Sequence, residues 1–155
     1  MPHMFAGFGG IAVGVATLAI VALVVYSKTK GIAFHFDPQG EKGAFEKVLA
    51  VYLRLAEFVL GLAAGSIVLL VGSSAFRATG RLPWVFNSPL YLLALSIIYG
   101  ILFMVFLITD YESYRHDPER SSYSRFRYTR NQALGFGGLL CFCLGYVWLI
   151  FIVTR

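Results

Sequence analysis

Polar and apolar residues in this chain fall into long blocks rather than short alternations. Four blocks carry no charged side chain: Phe5 to Tyr26, Phe58 to Phe76, Pro89 to Thr109 and Ala133 to Thr154. A hydrocarbon layer of about 30 Å needs about 20 apolar residues wound as a helix, and each block is close to that length. The apolar character of the second begins earlier, at Phe45, so its span is set at about 48–76. The chain therefore reads as an all-α integral membrane four-helix bundle with spans at about 5–26, 48–76, 89–109 and 133–154. Residues 1–155 form a single transmembrane domain.

Between the blocks lie turn and cap signals. Asp37-Pro38-Gln39-Gly40 has the composition of a tight turn. Arg81-Leu82-Pro83-Trp84 closes the second helix, and Ser88 is a candidate N-cap with Pro89 at the first helical position. Trp84, Phe86 and Tyr91 suit a membrane–water interface. The first block reads as a retained span. It lacks a basic lead-in and a small-residue cleavage site, and Ser27-Lys28-Thr29-Lys30 follows it.

Composition agrees with the blocks. Of 155 residues, 58% are hydrophobic and 14% charged, against about 25% charged in a soluble domain. The net charge of +5 is concentrated in two segments. Lys28, Lys30, Lys42 and Lys47 follow the first span. Arg115, Arg120, Arg125, Arg127 and Arg130 follow the third. Outside these segments stand Arg54 at the entry of the second span, and Arg77, Arg81 and Arg155. The positive-inside rule then predicts two basic cytoplasmic loops and both termini external, in a multi-pass protein of the cell membrane, the inner membrane of a bacterium. The basic loops suit membrane lipids with anionic headgroups, and no nucleic acid partner is expected.

The second span carries the most distinctive pattern. Gly61-Leu62-Ala63-Ala64-Gly65 is a GxxxG motif, and Gly72 continues the same face. In lipid, small residues let helix backbones approach closely, so this face is expected to be buried against other helices. Gly7, Gly10 and Gly14 in the first span and Gly135, Gly138 and Gly145 in the fourth offer further packing surfaces. So much packing surface on so small a chain points to a homo-oligomer or to other membrane subunits. At the cytoplasmic entry of the second span, Arg54 and Glu57 are three residues apart and can pair. They are headgroup-level anchors that snorkel, or they line a cavity between helices. The third loop interleaves basic and aromatic residues, and Tyr114, Arg115, Arg125, Arg127 and Arg130 are candidate contacts for lipid or for an anionic ligand.

Catalytic signals are missing from the text. His3, His35 and His116 lie outside the four spans, so paired helix histidines for a haem are absent. Cys141 and Cys143 are two apart in an apolar run, cannot bridge one another and read as small buried hydrophobes. There is no Cys/His zinc spacing, phosphate-cradling glycine loop or nucleophile elbow. No catalytic residue, metal or cofactor is evident, and bound lipid is the expected companion. The leading reading is a non-enzymatic membrane component, self-associating or an accessory subunit of a larger complex. An oligomeric pore is a further reading, with Ser66, Ser73, Ser74 and Glu57 to line it.

Ala44-Phe45-Glu46-Lys47-Val48, followed by Arg54-Leu55-Ala56-Glu57, resembles the second-helix entry of the membrane-associated proteins of eicosanoid and glutathione metabolism (MAPEG). In that family an acidic–basic pair precedes Asn-x-x-Asp/Glu. The segment from Tyr114 through Glu119-Arg120 to Arg130 is similar to the family's basic, Tyr-rich loop. Arg54 stands where the family has asparagine, and the third span lacks the family's arginine. The resemblance implies a trimeric enzyme binding glutathione or a lipid between subunits, with Arg54, Glu57, Tyr114 and Arg130 as contacts. The chain also resembles small four-span bacterial membrane proteins with a Gly-Ser-Ile-Val-Leu-Leu type second helix, for which no activity follows.

Overall fold

A computed structural model describes residues 2–29, 45–72, 83–116 and 124–154. Four helices account for nearly all of them: α1 (Pro2–Lys28), α2 (Phe45–Val71), α3 (Asn87–His116) and α4 (Arg125–Val153). A short 3-10 turn, Trp84–Phe86, leads directly into α3. No strand occurs among the described residues. All four helices are long and apolar enough to cross a membrane. Large apolar side chains are left bare on each of them, including Leu23 at 68%, Leu69 at 76%, Val105 at 51% and Val147 at 66% exposure. In water that surface would be prohibitive; in hydrocarbon it is the ordinary outside of a bundle.

The helices run up and down, and α3 and α4 form the most extensive seam. That seam is built on small residues. A side chain added at Gly138 would sit 3.5 Å from the Ser96 carbonyl oxygen, and one at Gly145 would sit 3.3 Å from the Pro89 carbonyl oxygen. Helix α1 lies across both. Gly10 abuts the Ser88 backbone, Gly14 lies under Leu95, and Gly137 receives Leu18. The Tyr99 hydroxyl donates to the Gly14 carbonyl at 3.5 Å. Leu92, Tyr99, Leu134 and Cys141 form the buried core at this junction, with Leu18, Leu95, Phe103 and Phe106 packed around it.

Helix α2 stands apart. It leans almost solely on α3 and barely touches α4. Leu60 packs over Gly100, where an added Cβ would stand 3.1 Å from it, and the Tyr52 ring meets Phe103 edge-on at 6.3 Å.

Several boundaries differ from those read in the sequence. Helices α3 and α4 extend through much of what reads as a basic loop. Arg125, Arg127 and Arg130 belong to the first turns of α4, whose N-cap is Ser124, with its hydroxyl accepting from the Arg127 amide at 3.3 Å. Helix α1 takes in His3, and α3 ends on His116, so both stand on helix ends beyond the uncharged blocks 5–26 and 89–109. Ser88 is no N-cap. Asn87 is already helical after the 3-10 turn, and Ser88 and Pro89 lie inside the first turn, both buried. Pro89 fits there because the first four amides of a helix have no partner to lose. Cys141 is buried, whereas Cys143 is exposed on the outer side of α4. The turn at Asp37-Pro38-Gln39-Gly40 lies outside the described residues, as do Ser73, Ser74, Arg77, Arg81 and the basic residues Lys30, Lys42 and Arg120.

Candidate functional site: a buried polar cluster and a bare helix face

Two groups of polar side chains lie on the four helices. The first closes the basic end of the bundle. Asp110, in the last third of α3, is 6% exposed. Its Oδ2 accepts from Arg130 Nη2 at 2.8 Å and from Asn131 Nδ2 at 2.8 Å. Arg127 Nε stands 3.9 Å from Oδ1. Arg130 also donates to Asn131 Oδ1 at 3.3 Å and lays its guanidinium over the Phe106 ring at 3.9 Å. One carboxylate so deep requires such partners, because an unpaired buried charge is far costlier than a paired one. Beside it, Arg125 covers the C-terminal end of α1. It donates to the Tyr26 carbonyl and to Thr29 Oγ1, and stacks 3.7 Å above the Tyr26 ring. A cation at that end complements the helix dipole. The arrangement clamps α1, α3 and α4 together. Asp110 holds Arg130 closely and Arg127 at longer range, while Arg127 stays partly exposed and Arg115 is exposed. Tyr114 is half-buried on the last turns of α3.

The second group is the outward face of α2. At 100° per residue, Lys47, Ala50, Arg54, Glu57, Gly61, Gly65, Val68 and Gly72 fall within about 40° of one line, and all eight are exposed. The opposite side carries Ala56, Val59, Leu60 and the fully buried Ala63, and faces the bundle. A side chain added at Gly61 or Gly65 would meet nothing within 4 Å, and one at Gly72 would meet only its own helix. The small-residue face expected to be buried is thus open within the chain, in contrast to Gly138 and Gly145. Arg54 and Glu57 do not pair with one another. No hydrogen bond or ion pair joins either to a described residue.

The packing register sets their level along the bundle. The Tyr52 ring meets Phe103, and Tyr52, Leu60, Ser96 and Gly100 line one cleft, so Arg54 and Glu57 lie inward of Asp110 along the bundle axis.

The cleft itself runs between α2 and α4, with α3 as its floor. It is apolar, about 100 Å³, and lined by Tyr52, Ala56 and Leu60, by Ser96, Gly100 and Phe103, and by Gln132 and Phe136. The Ser96 hydroxyl is buried without a hydrogen-bond partner. Among the described residues no three His, Cys, Asp or Glu side chains gather as a metal site would require.

The residues singled out in the sequence therefore separate. Arg130, Arg127 and Arg125 gather at the basic end, while Arg54 and Glu57 face away from the bundle on α2. Asp110 and Asn131 escaped the sequence reading, because Asp110 sits just past an uncharged block and its partners lie twenty residues on. No protein-family model, no curated protein and no solved structure matches this chain.

Proposed function

We propose that this multi-pass membrane protein is a non-enzymatic component that works by packing against further transmembrane helices through the outward face of α2. One observation carries the reading. Arg54 and Glu57 stand without a partner among the described residues on an exposed, glycine-lined face of a helix apolar enough to cross a membrane. Lipid tails can neither solvate those charges nor gain from the flat backbone beside them. Another helix supplies both needs, by close approach over Gly61 and Gly65 and by polar groups for Arg54 and Glu57.

The basic end supports a structural role as well. Its one buried carboxylate is fully engaged in joining α3 to α4 rather than poised beside a reactive group. Arg115 and Arg127 then serve as contacts for anionic headgroups at that end.

The test is gentle solubilisation followed by native mass measurement and identification of whatever copurifies. The expected result is an assembly larger than one 17.2 kDa chain. A strict monomer in several mild detergents, with nothing copurifying, overturns the proposal.

A further inference from the structure

We infer that the partner seated on the outward face of α2 is a second copy of this chain, related by a two-fold axis along the membrane normal. This inference rests on the packing role proposed above and goes further, since it names the partner. Three features of α2 carry it.

The face is self-complementary in charge. At its charged centre it presents a cation, Arg54, and an anion, Glu57, a single helical turn apart and each without a partner among the described residues, while Lys47 stands at the N-terminal end of the same stripe. Copies inserted in the same direction bring equal residues to equal depth. Arg54 and Glu57 are about 4.5 Å apart along the axis, a gap that the long arginine side chain of one copy spans to reach Glu57 of the other. Two reciprocal ion pairs result, and only the Lys47 side chains, two turns nearer the start of the helix, stay outside them. A foreign helix would need an arginine and a carboxylate placed in the same register.

The second feature is contour. Gly61 and Gly65 lie one and two turns beyond the charged pair on the same line and are open to close approach. An isologous contact needs a patch that matches itself, and a flat glycine face does so without side-chain interlocking. The third is position. The stripe lies diametrically opposite Ala63 and the α3 contact, so a second bundle can dock there with no rearrangement of the first.

The inference is tested by charge reversal in two differently tagged chains, extracted gently from the membrane in which they were made. Arg54→Glu makes one chain doubly acidic on this face, and Glu57→Arg makes the other doubly basic. Each expressed alone is expected to lose self-association by about tenfold, since like charges then face one another at low dielectric. Expressed together, the two are expected to form mixed pairs to about the wild-type extent. The double variant Arg54→Glu/Glu57→Arg, which restores one charge of each sign, is expected to self-associate and serves as the control for insertion and folding. Failure of the co-expressed chains to pair, with the double variant folded, overturns the inference. A wild-type assembly made of one copy plus a different membrane protein also overturns it, while leaving the packing role standing. A wild-type monomer overturns both.

Discussion

The α3–α4 seam and the outward face of α2 are made from the same sequence material and have opposite surroundings. A Cβ added at Gly138 or Gly145 would stand 3.3 to 3.5 Å from backbone atoms of α3. Gly61 and Gly65 carry the tighter motif in the sequence, yet a Cβ added at either would meet nothing within 4 Å among the described residues. The small-residue pattern specifies a surface on which a backbone can lie close. It does not specify whose backbone. Polar side chains distinguish the two regions. Beside the seam, Asp110 finds Arg130 and Asn131 within its own bundle. On α2, Arg54 and Glu57 find no partner among the described residues, and the face that carries them is where a second copy is proposed to dock.

That contrast can be broken most forcefully at the seam. Gly145→Leu would drive a branched side chain against Leu92, Leu93 and the Pro89 carbonyl oxygen. A loss of about 3 kcal/mol is expected, read as a lowered thermal midpoint of the extracted protein together with loss of helix content on heating. Next in size is Asp110→Ala, which leaves Arg130 and Asn131 without their acceptor. About 2 to 3 kcal/mol should go, less than for a wholly buried pair because Arg130 is partly exposed. Asp110→Asn, which keeps an acceptor oxygen, should cost less, and the order of the two thermal midpoints checks this.

Smaller again is Arg125→Ala. It removes the cation that covers the Tyr26 carbonyl and stacks on the Tyr26 ring, an exposed arrangement worth about 1 kcal/mol. Hydrogen exchange should show the last turn of α1 loosening while the seam stays protected. Smallest for the fold is Gly65→Leu on α2. Space is free there, so stability of the single bundle should move by less than about 0.5 kcal/mol. Association should fall all the same, and this split between fold and assembly would not occur at Gly145.

The four crossings were legible because each needs only a long uncharged block, and membrane helices satisfy their backbone hydrogen bonds locally. Helix ends were less so. Arg125, Arg127 and Arg130 read as a loop because charge breaks an apolar block, yet charged turns continue readily as helix once they leave the hydrocarbon. Ser124 was the available signal, an N-cap residue ahead of a run with no helix breaker. Asp110 was invisible as a site because its partnership with Arg130 and Asn131 depends on how α3 and α4 are set side by side. Arg54 and Glu57 were visible as charges near a span. Their direction was not, because it follows from how α2 packs against α3.

The most direct measurement of the central claim is the native mass of the Gly65→Leu protein beside the wild type in one mild detergent. The account predicts two copies of the 17.2 kDa chain for the wild type and one for the variant, at equal helix content. Equal masses for the two proteins would contradict it.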